Sequence, residues 1–170
     1  MSLASLIALL AVGAAAASGA SPGRPAPDFT AGGPWFNTRG KALTISALRG
    51  RVVAVEMFTA GCYNCRNVMP ALKRWDASYR THGLIIVGVH APEFAYERSE
   101  DYVRASIVKL GLKYPVVMDN NFKIWRSYNN VYWPTIYLVD KKGIVRYMHV
   151  GEGAYAATEN KIRELLAENG

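Results

Sequence analysis

Apolar residues along this chain fall into short unbroken runs separated by stretches of helical period. Val52-Val53-Ala54-Val55-Glu56-Met57-Phe58 and Leu84-Ile85-Ile86-Val87-Gly88-Val89 are runs of strand length, and continuous apolar runs of this kind fit strands covered on both faces. Between them Val68, Met69, Leu72 and Trp75 recur on one face of a helix, predicted from about Cys62 to Tyr79. Farther on, Tyr102 to Leu110 has helical spacing and stops at Gly111, Val116-Val117-Met118 is a short strand, and Asn121 to Tyr128 reads as a helical turn or two. Thr135 to Val139 and Ile144 to Met148 flank Asp140-Lys141-Lys142-Gly143, a polar turn ending in glycine, and predict a hairpin. Thr158 to Glu168 closes the chain as an amphipathic helix. Strand, helix, strand, then helix, hairpin and helix imply an α/β fold with a central mixed β-sheet flanked by helices on both faces.

The N-terminal residues break this pattern. From Leu3 to Ala17 the chain is apolar and uncharged, and Ser18-Gly19-Ala20 supplies small residues for cleavage, which predicts a signal peptide over 1–20. Met1-Ser2 lacks the usual basic n-region, so an uncleaved anchor stays open. The apolar stretch is nevertheless shorter than the ~20 residues of a spanning helix, and no cysteine stands at the cleavage position to take a lipid. The proline-punctuated segment 21–27 predicts a flexible leader, with the folded domain over 28–170. Export implies a periplasmic or extracellular location.

A chain of 170 residues that is 51% hydrophobic suits one domain with a full core. The net charge of +7 favours acidic partners or an anionic membrane surface. Lys and Arg are scattered from Arg24 to Arg163 without a dense run, which argues against nucleic acid as a partner.

The chemistry concentrates in two cysteines, Cys62 and Cys65, spaced as C-x-x-C. Zinc would need more ligands, and His82, His90 and His149 are dispersed. A static disulfide across so small a loop would constrain the unfolded chain little. Redox exchange fits better. The pair follows a strand, after Thr59-Ala60-Gly61, and opens a helix, so Cys62 meets unpaired N–H groups at the positive end of the helix dipole, where a thiolate is favoured. Cys62 would attack a disulfide and Cys65, one turn inside, would resolve the intermediate. Arg66 adds a positive charge nearby, or is simply a solvated helix residue. Glu56 stands in an otherwise apolar strand, so it should be protonated near neutrality or bound to a partner, and it could accept and return the Cys65 proton. Trp133-Pro134-Thr135 places a proline at the entry of a strand, where a cis peptide would fit.

These residues resemble the thioredoxin-fold proteins of the exported TlpA-like group, and most of all the soluble domain of DipZ-type proteins. The resemblance covers about Asp28 to Asn169 and rests on Cys62-Tyr63-Asn64-Cys65, on Pro70 within the following helix, on Glu56 and on Trp133-Pro134-Thr135. Gly88-Val89-His90-Ala91-Pro92-Glu93-Phe94-Ala95-Tyr96-Glu97, Tyr132-Trp133-Pro134 and Gly151-Glu152-Gly153-Ala154-Tyr155 resemble the DipZ-like branch in particular. It implies a thioredoxin-like fold and an exported thiol:disulfide oxidoreductase, with Cys62, Cys65 and Glu56 as candidate catalytic residues. Trp133, Pro134 and Tyr63 are the candidate substrate-binding residues, the backbone before Pro134 pairing with an extended substrate chain. His90 and Glu93 would lie near the functional end of the sheet, as a capped strand end or in some further role. Gly61 and the Tyr63-Asn64 dipeptide depart from thioredoxin and leave the redox potential open. The implied partners are protein disulfides or dithiols and, since no polytopic membrane portion is present in this sequence, a separate membrane electron donor. Nothing in the sequence signals a metal, nucleotide or haem cofactor.

Three alternatives remain open: a disulfide-donating oxidase, a thiol peroxidase and a non-catalytic binding module. Thr59-Ala60-Gly61-Cys62 matches part of the peroxiredoxin signature, with Val55 where that signature has its proline. The binding module would present Trp35, Tyr96, Trp125 and Trp133 as an aromatic surface, although such residues more often lie in the core.

Overall fold

The computed structural model of the protein describes residues 19–170. The predicted signal peptide lies outside them except for Gly19 and Ala20. In chain order the elements are β1 (Trp35–Phe36), β2 (Val52–Phe58), α1 (Tyr63–Tyr79), β3 (Leu84–His90), α2 (Glu100–Leu110), β4 (Val116–Met118), α3 (Lys123–Ser127), β5 (Thr135–Val139), β6 (Val145–Val150) and α4 (Tyr155–Ala167). Short 3-10 turns at Ser46–Leu48, Arg80–His82 and Ala95–Arg98 complete the path.

The strands form one six-stranded mixed sheet in the order β1-β4-β3-β2-β5-β6. β2, β3 and β4 run parallel, whereas β5, β6 and β1 are antiparallel to their neighbours. Every residue of β2 is buried, which explains why its sequence reads as a continuous apolar run. Alternation along the strand divides those side chains between two cores. Val52, Ala54 and Phe58 face a core that takes in Val68, Leu72 and Trp75 of α1, Val103 of α2 and Ile162 of α4. Val53, Val55 and Met57 face a second core with Ile124 and Trp125 of α3 and Phe29, Ile45 and Leu48 of the N-terminal region. The fold is thioredoxin-like.

Several boundaries differ from the sequence expectation. β1 was absent from it: two residues after Pro34 pair antiparallel with Val116 and Val117, a length at which no periodicity can register. α2 begins earlier than Tyr102, because the Ser99 side chain caps it and Glu100 and Asp101 fill the acidic first turn. α4 likewise begins at Tyr155. Segment 21–27 forms no helix or strand, yet its backbone is tied to the start of β6. Gly23 N–H donates to Val145 O, Val145 N–H to Arg24 O, and Ala26 N–H to Gly143 O, at 2.8–2.9 Å. Ala20 is itself buried in the second core. The folded unit therefore takes in residues on the N-terminal side of Asp28. Among the described residues no helix is long and apolar enough to cross a membrane.

Candidate active site

The β2 strand ends at Phe58, and the turn Thr59-Ala60-Gly61 carries the chain directly into α1. Cys62 is the N-cap of that helix: its backbone is extended, and its Sγ accepts the Cys65 backbone N–H at 3.3 Å. The thiol thus occupies the position where serine or aspartate oxygen normally satisfies an orphan helical donor, and negative charge on sulfur strengthens that bond. Both cysteines are free thiols; Cys62 is partly exposed and Cys65 is buried. Pro70 lies inside α1.

Glu56 is fully buried on the α1 side of β2, the side of Ala54 and Phe58. Burial pushes its carboxyl up to about 8, opposed by a hydrogen bond from Tyr114; the Tyr114 hydroxyl donates to Oε2 at 3.1 Å. Oε1 has no partner among the described residues. Burial also pushes the Cys65 thiol up, and the Glu56 charge acts on it in the same direction. Gly88 is the β3 residue in register with Glu56. A Cβ there would stand 2.9 Å from the Phe58 ring and 3.4 Å from the Tyr114 ring, so glycine leaves the space through which Tyr114 reaches the acid.

On the other flank, the Trp133–Pro134 peptide is cis, as the sequence suggested. Pro134 is buried, and its carbonyl accepts Gly151 N–H at 2.8 Å. Trp133 is half-buried, donates from Nε1 to Ala91 O at 3.1 Å and packs on Trp125 with ring centroids 4.4 Å apart. Its backbone N–H and C=O make no hydrogen bond among the described residues. Tyr63 is exposed at the first position of α1. Arg66 is exposed on the same helix.

The turn before Cys62 is held from behind. His90, buried at the end of β3, accepts Ala60 N–H at Nε2 (3.3 Å) and lies 3.4 Å from Thr59 Oγ1. Accepting that bond assigns the ring proton to Nδ1. Burial pushes the imidazole down to about 4, so the ring is neutral. Glu97, also buried, accepts Gly61 N–H at Oε1 (2.8 Å) and the N–H groups of Glu93 (2.7 Å) and Phe94 (3.0 Å) at Oε2. Burial opposes its charge, yet the nearby Thr59 hydroxyl and these N–H groups hold the carboxyl below the usual range.

The AhpC/TSA family model matches residues 22–148. The chain belongs to the AhpC/TSA family. Protein DipZ of Mycobacterium tuberculosis is 40% identical over 142 residues, covering 83% of this chain but only 20% of DipZ. This AhpC/TSA chain therefore spans about a fifth of the length of that relative. The thioredoxin-like protein YneN of Bacillus subtilis is 29% identical over 85% of this chain and 80% of its own length. A Chlorobium tepidum protein assigned as the thiol:disulfide interchange protein DsbE superposes with a TM-score of 0.76 at 25% identity, over 87% of this chain and 99% of that one.

Within this AhpC/TSA chain the structure gathers Cys62, Cys65, Glu56 and the Trp133–Pro134 segment at one end of the sheet. The proposed aromatic surface does not assemble. Trp125 is buried and Trp35 packs edge-on against Phe29, because both contribute to the second core; only Tyr96 of that set is well exposed. Sequence reasoning missed Tyr114 and Glu97. Glu97 closes the DipZ-like run, but it stands between exposed Tyr96 and exposed Arg98 in a single 3-10 turn, too short for a burial pattern to give it a role.

Proposed function

We propose that the chain is a thiol:disulfide oxidoreductase that reduces disulfides in proteins outside the cytoplasm. The observation that carries this reading is a partly exposed Cys62 sulfur held as a helix N-cap one turn from the buried Cys65 thiol. The Cys62 thiolate attacks one sulfur of a substrate disulfide, forming a mixed disulfide and expelling the first substrate thiolate. Cys65 then gives up its proton, with the Glu56 carboxylate as acceptor, and attacks Cys62 Sγ. The second substrate thiolate leaves, and Cys62–Cys65 is left oxidised. Two electrons and two protons pass to the substrate, and a dithiol donor restores the pair. The unpaired backbone of Trp133 would receive an extended substrate segment beside the sulfur, with Tyr63 at its edge.

Export and a membrane electron donor belong to the same proposal. The apolar stretch from Leu3 to Ala17 and the similarity to DipZ support them; N-terminal sequencing of the protein recovered from a cell-envelope fraction tests the first. Peroxide reduction is disfavoured by Thr59, whose buried hydroxyl is turned toward His90.

The decisive experiment is insulin disulfide reduction by wild type and Cys62→Ser, together with equilibration in glutathione buffers. Wild type should turn over and Cys62→Ser should lose all activity; full activity in the variant overturns the reading. A potential near the thioredoxin end, about −270 mV, marks a reductant, and one near about −120 mV a disulfide donor instead.

A further inference from the structure

The reaction above leaves the buried carboxylate of Glu97 unused, and its surroundings are one-sided. Each of its hydrogen-bond partners is a donor: the Gly61, Glu93 and Phe94 backbone N–H groups. A protonated acid would have to aim its own hydrogen at one of these donors, so the site is built for the anion. One of these partners, Gly61, ends the turn Thr59-Ala60-Gly61, and the residue after that turn is Cys62. Gly61 is fitted to the carboxylate, since a Cβ at this position would stand 2.6 Å from Glu97 Oε1. Its φ is not in the left-handed region, so close approach, and not backbone conformation, is what requires glycine here. His90 completes the support by accepting Ala60 N–H from below. Every residue of the turn is therefore held by a buried side chain from β3 or from the 3-10 turn that follows it.

We propose that Glu97 is a positioning residue that fixes the turn carrying Cys62 and, by its negative charge, poises the Cys62/Cys65 couple toward reducing power. The charge argument is Coulombic. A carboxylate bonded to the N–H of the residue before the nucleophile opposes negative charge at the Cys62 sulfur, and a couple whose reduced form is disfavoured in this way is the better electron donor. The N-cap bond and helix dipole pull the other way, so Glu97 offsets part of what α1 contributes. This inference rests on the oxidoreductase reading and gives that site its direction.

The test is the glutathione equilibrium of wild type, Glu97→Gln and Glu97→Asp, with the rate of Cys62 alkylation by iodoacetamide at pH 7 as a second readout. Glu97→Gln should shift the equilibrium constant about three- to tenfold toward the dithiol, which for a two-electron couple is about 15 to 30 mV more oxidising. Its alkylation should quicken by a similar factor, and Glu97→Asp, which keeps the charge, should stay near wild type. A folded Glu97→Gln protein with wild-type potential and alkylation rate overturns the proposal and leaves Glu97 a structural tie alone. Should that variant fail to fold, Gly61→Ala, whose Cβ pushes the carboxylate off the turn, must move both readouts the same way or the proposal falls. A wild-type protein that forms no Cys62–Cys65 disulfide in these buffers fails the oxidoreductase reading itself, an outcome distinct from an unshifted variant.

Discussion

Glu56 and Tyr114 form a pair in which one partner could be read from the sequence and the other could not. A carboxylate among Val55, Met57 and Phe58 contradicts its surroundings, and that contradiction is visible in one dimension. Tyr114 looks like an ordinary aromatic before a strand, and only the space left by Gly88 brings its hydroxyl to Glu56. With burial pushing the Glu56 carboxyl up to about 8, the group is mainly protonated at neutral pH and becomes a base as pH rises through that value. Release of substrate from the Cys62 mixed disulfide should therefore accelerate with an inflection near pH 8. Glu56→Gln should lose the inflection and slow the step by about tenfold or more, as a lost general base does. Stopped-flow single turnovers across this pH range check both points.

At the level of elements, legibility followed length and burial. β2 and β3 are runs of seven residues each, buried except for half-buried Ile85, and their bounds were close to those in the sequence reading. β1 escaped because its two residues take their conformation from pairing with β4, a tertiary cause. The leader shows the same effect: its prolines exclude regular structure, but they leave Gly23 and Ala26 as donors toward the β6 end of the hairpin. Deleting residues 21–27 should cost about 1–3 kcal/mol, from net contributions of about 1 kcal/mol for each lost backbone bond. Urea unfolding of proteins beginning at Ser21 and at Asp28 measures the difference, and equal midpoints would show the pairing to be energetically idle.

For the molecule as a whole, the functional end is set by the sheet. Cys62 follows the C-terminal end of β2, whereas a cavity of about 540 Å³ lined by Arg51, Arg80, Lys113 and Leu84 lies at the N-terminal ends of β2 and β3, away from the thiol. Stability should carry the signature of two buried groups working against each other. The Glu56 carboxyl is raised from 4.5 to about 8, so the folded state holds a proton that the unfolded chain has lost. Its contribution is complete below the unfolded value and declines as pH rises through that window. The His90 imidazole is lowered from 6.5 to about 4, so its contribution is complete above the unfolded value and is lost as pH falls toward the folded one. The slopes oppose each other at mildly acidic pH, and Glu56 acts alone above 6.5. Relative to Glu56→Gln, wild type should lose about 1.5 kcal/mol between pH 6.5 and 8, the slope of about 1.36 kcal/mol per unit for one proton falling off as the folded carboxyl itself titrates. Urea midpoints of the two proteins that run parallel across this interval would remove Glu56 as the titrating group.

The sulfur that caps α1 is also the one proposed to be oxidised and restored in each turnover, so folding and electron transfer would form a closed thermodynamic square. A disulfide sulfur accepts a hydrogen bond more weakly than a thiolate does, and a helix cap is worth about 1 kcal/mol. Whatever the cap adds to the reduced fold must reappear, with opposite sign, as ease of oxidation forgone: about 20 mV for each such kilocalorie. Melting temperatures of the reduced and oxidised protein would then report on its redox potential without any redox buffer in the cell.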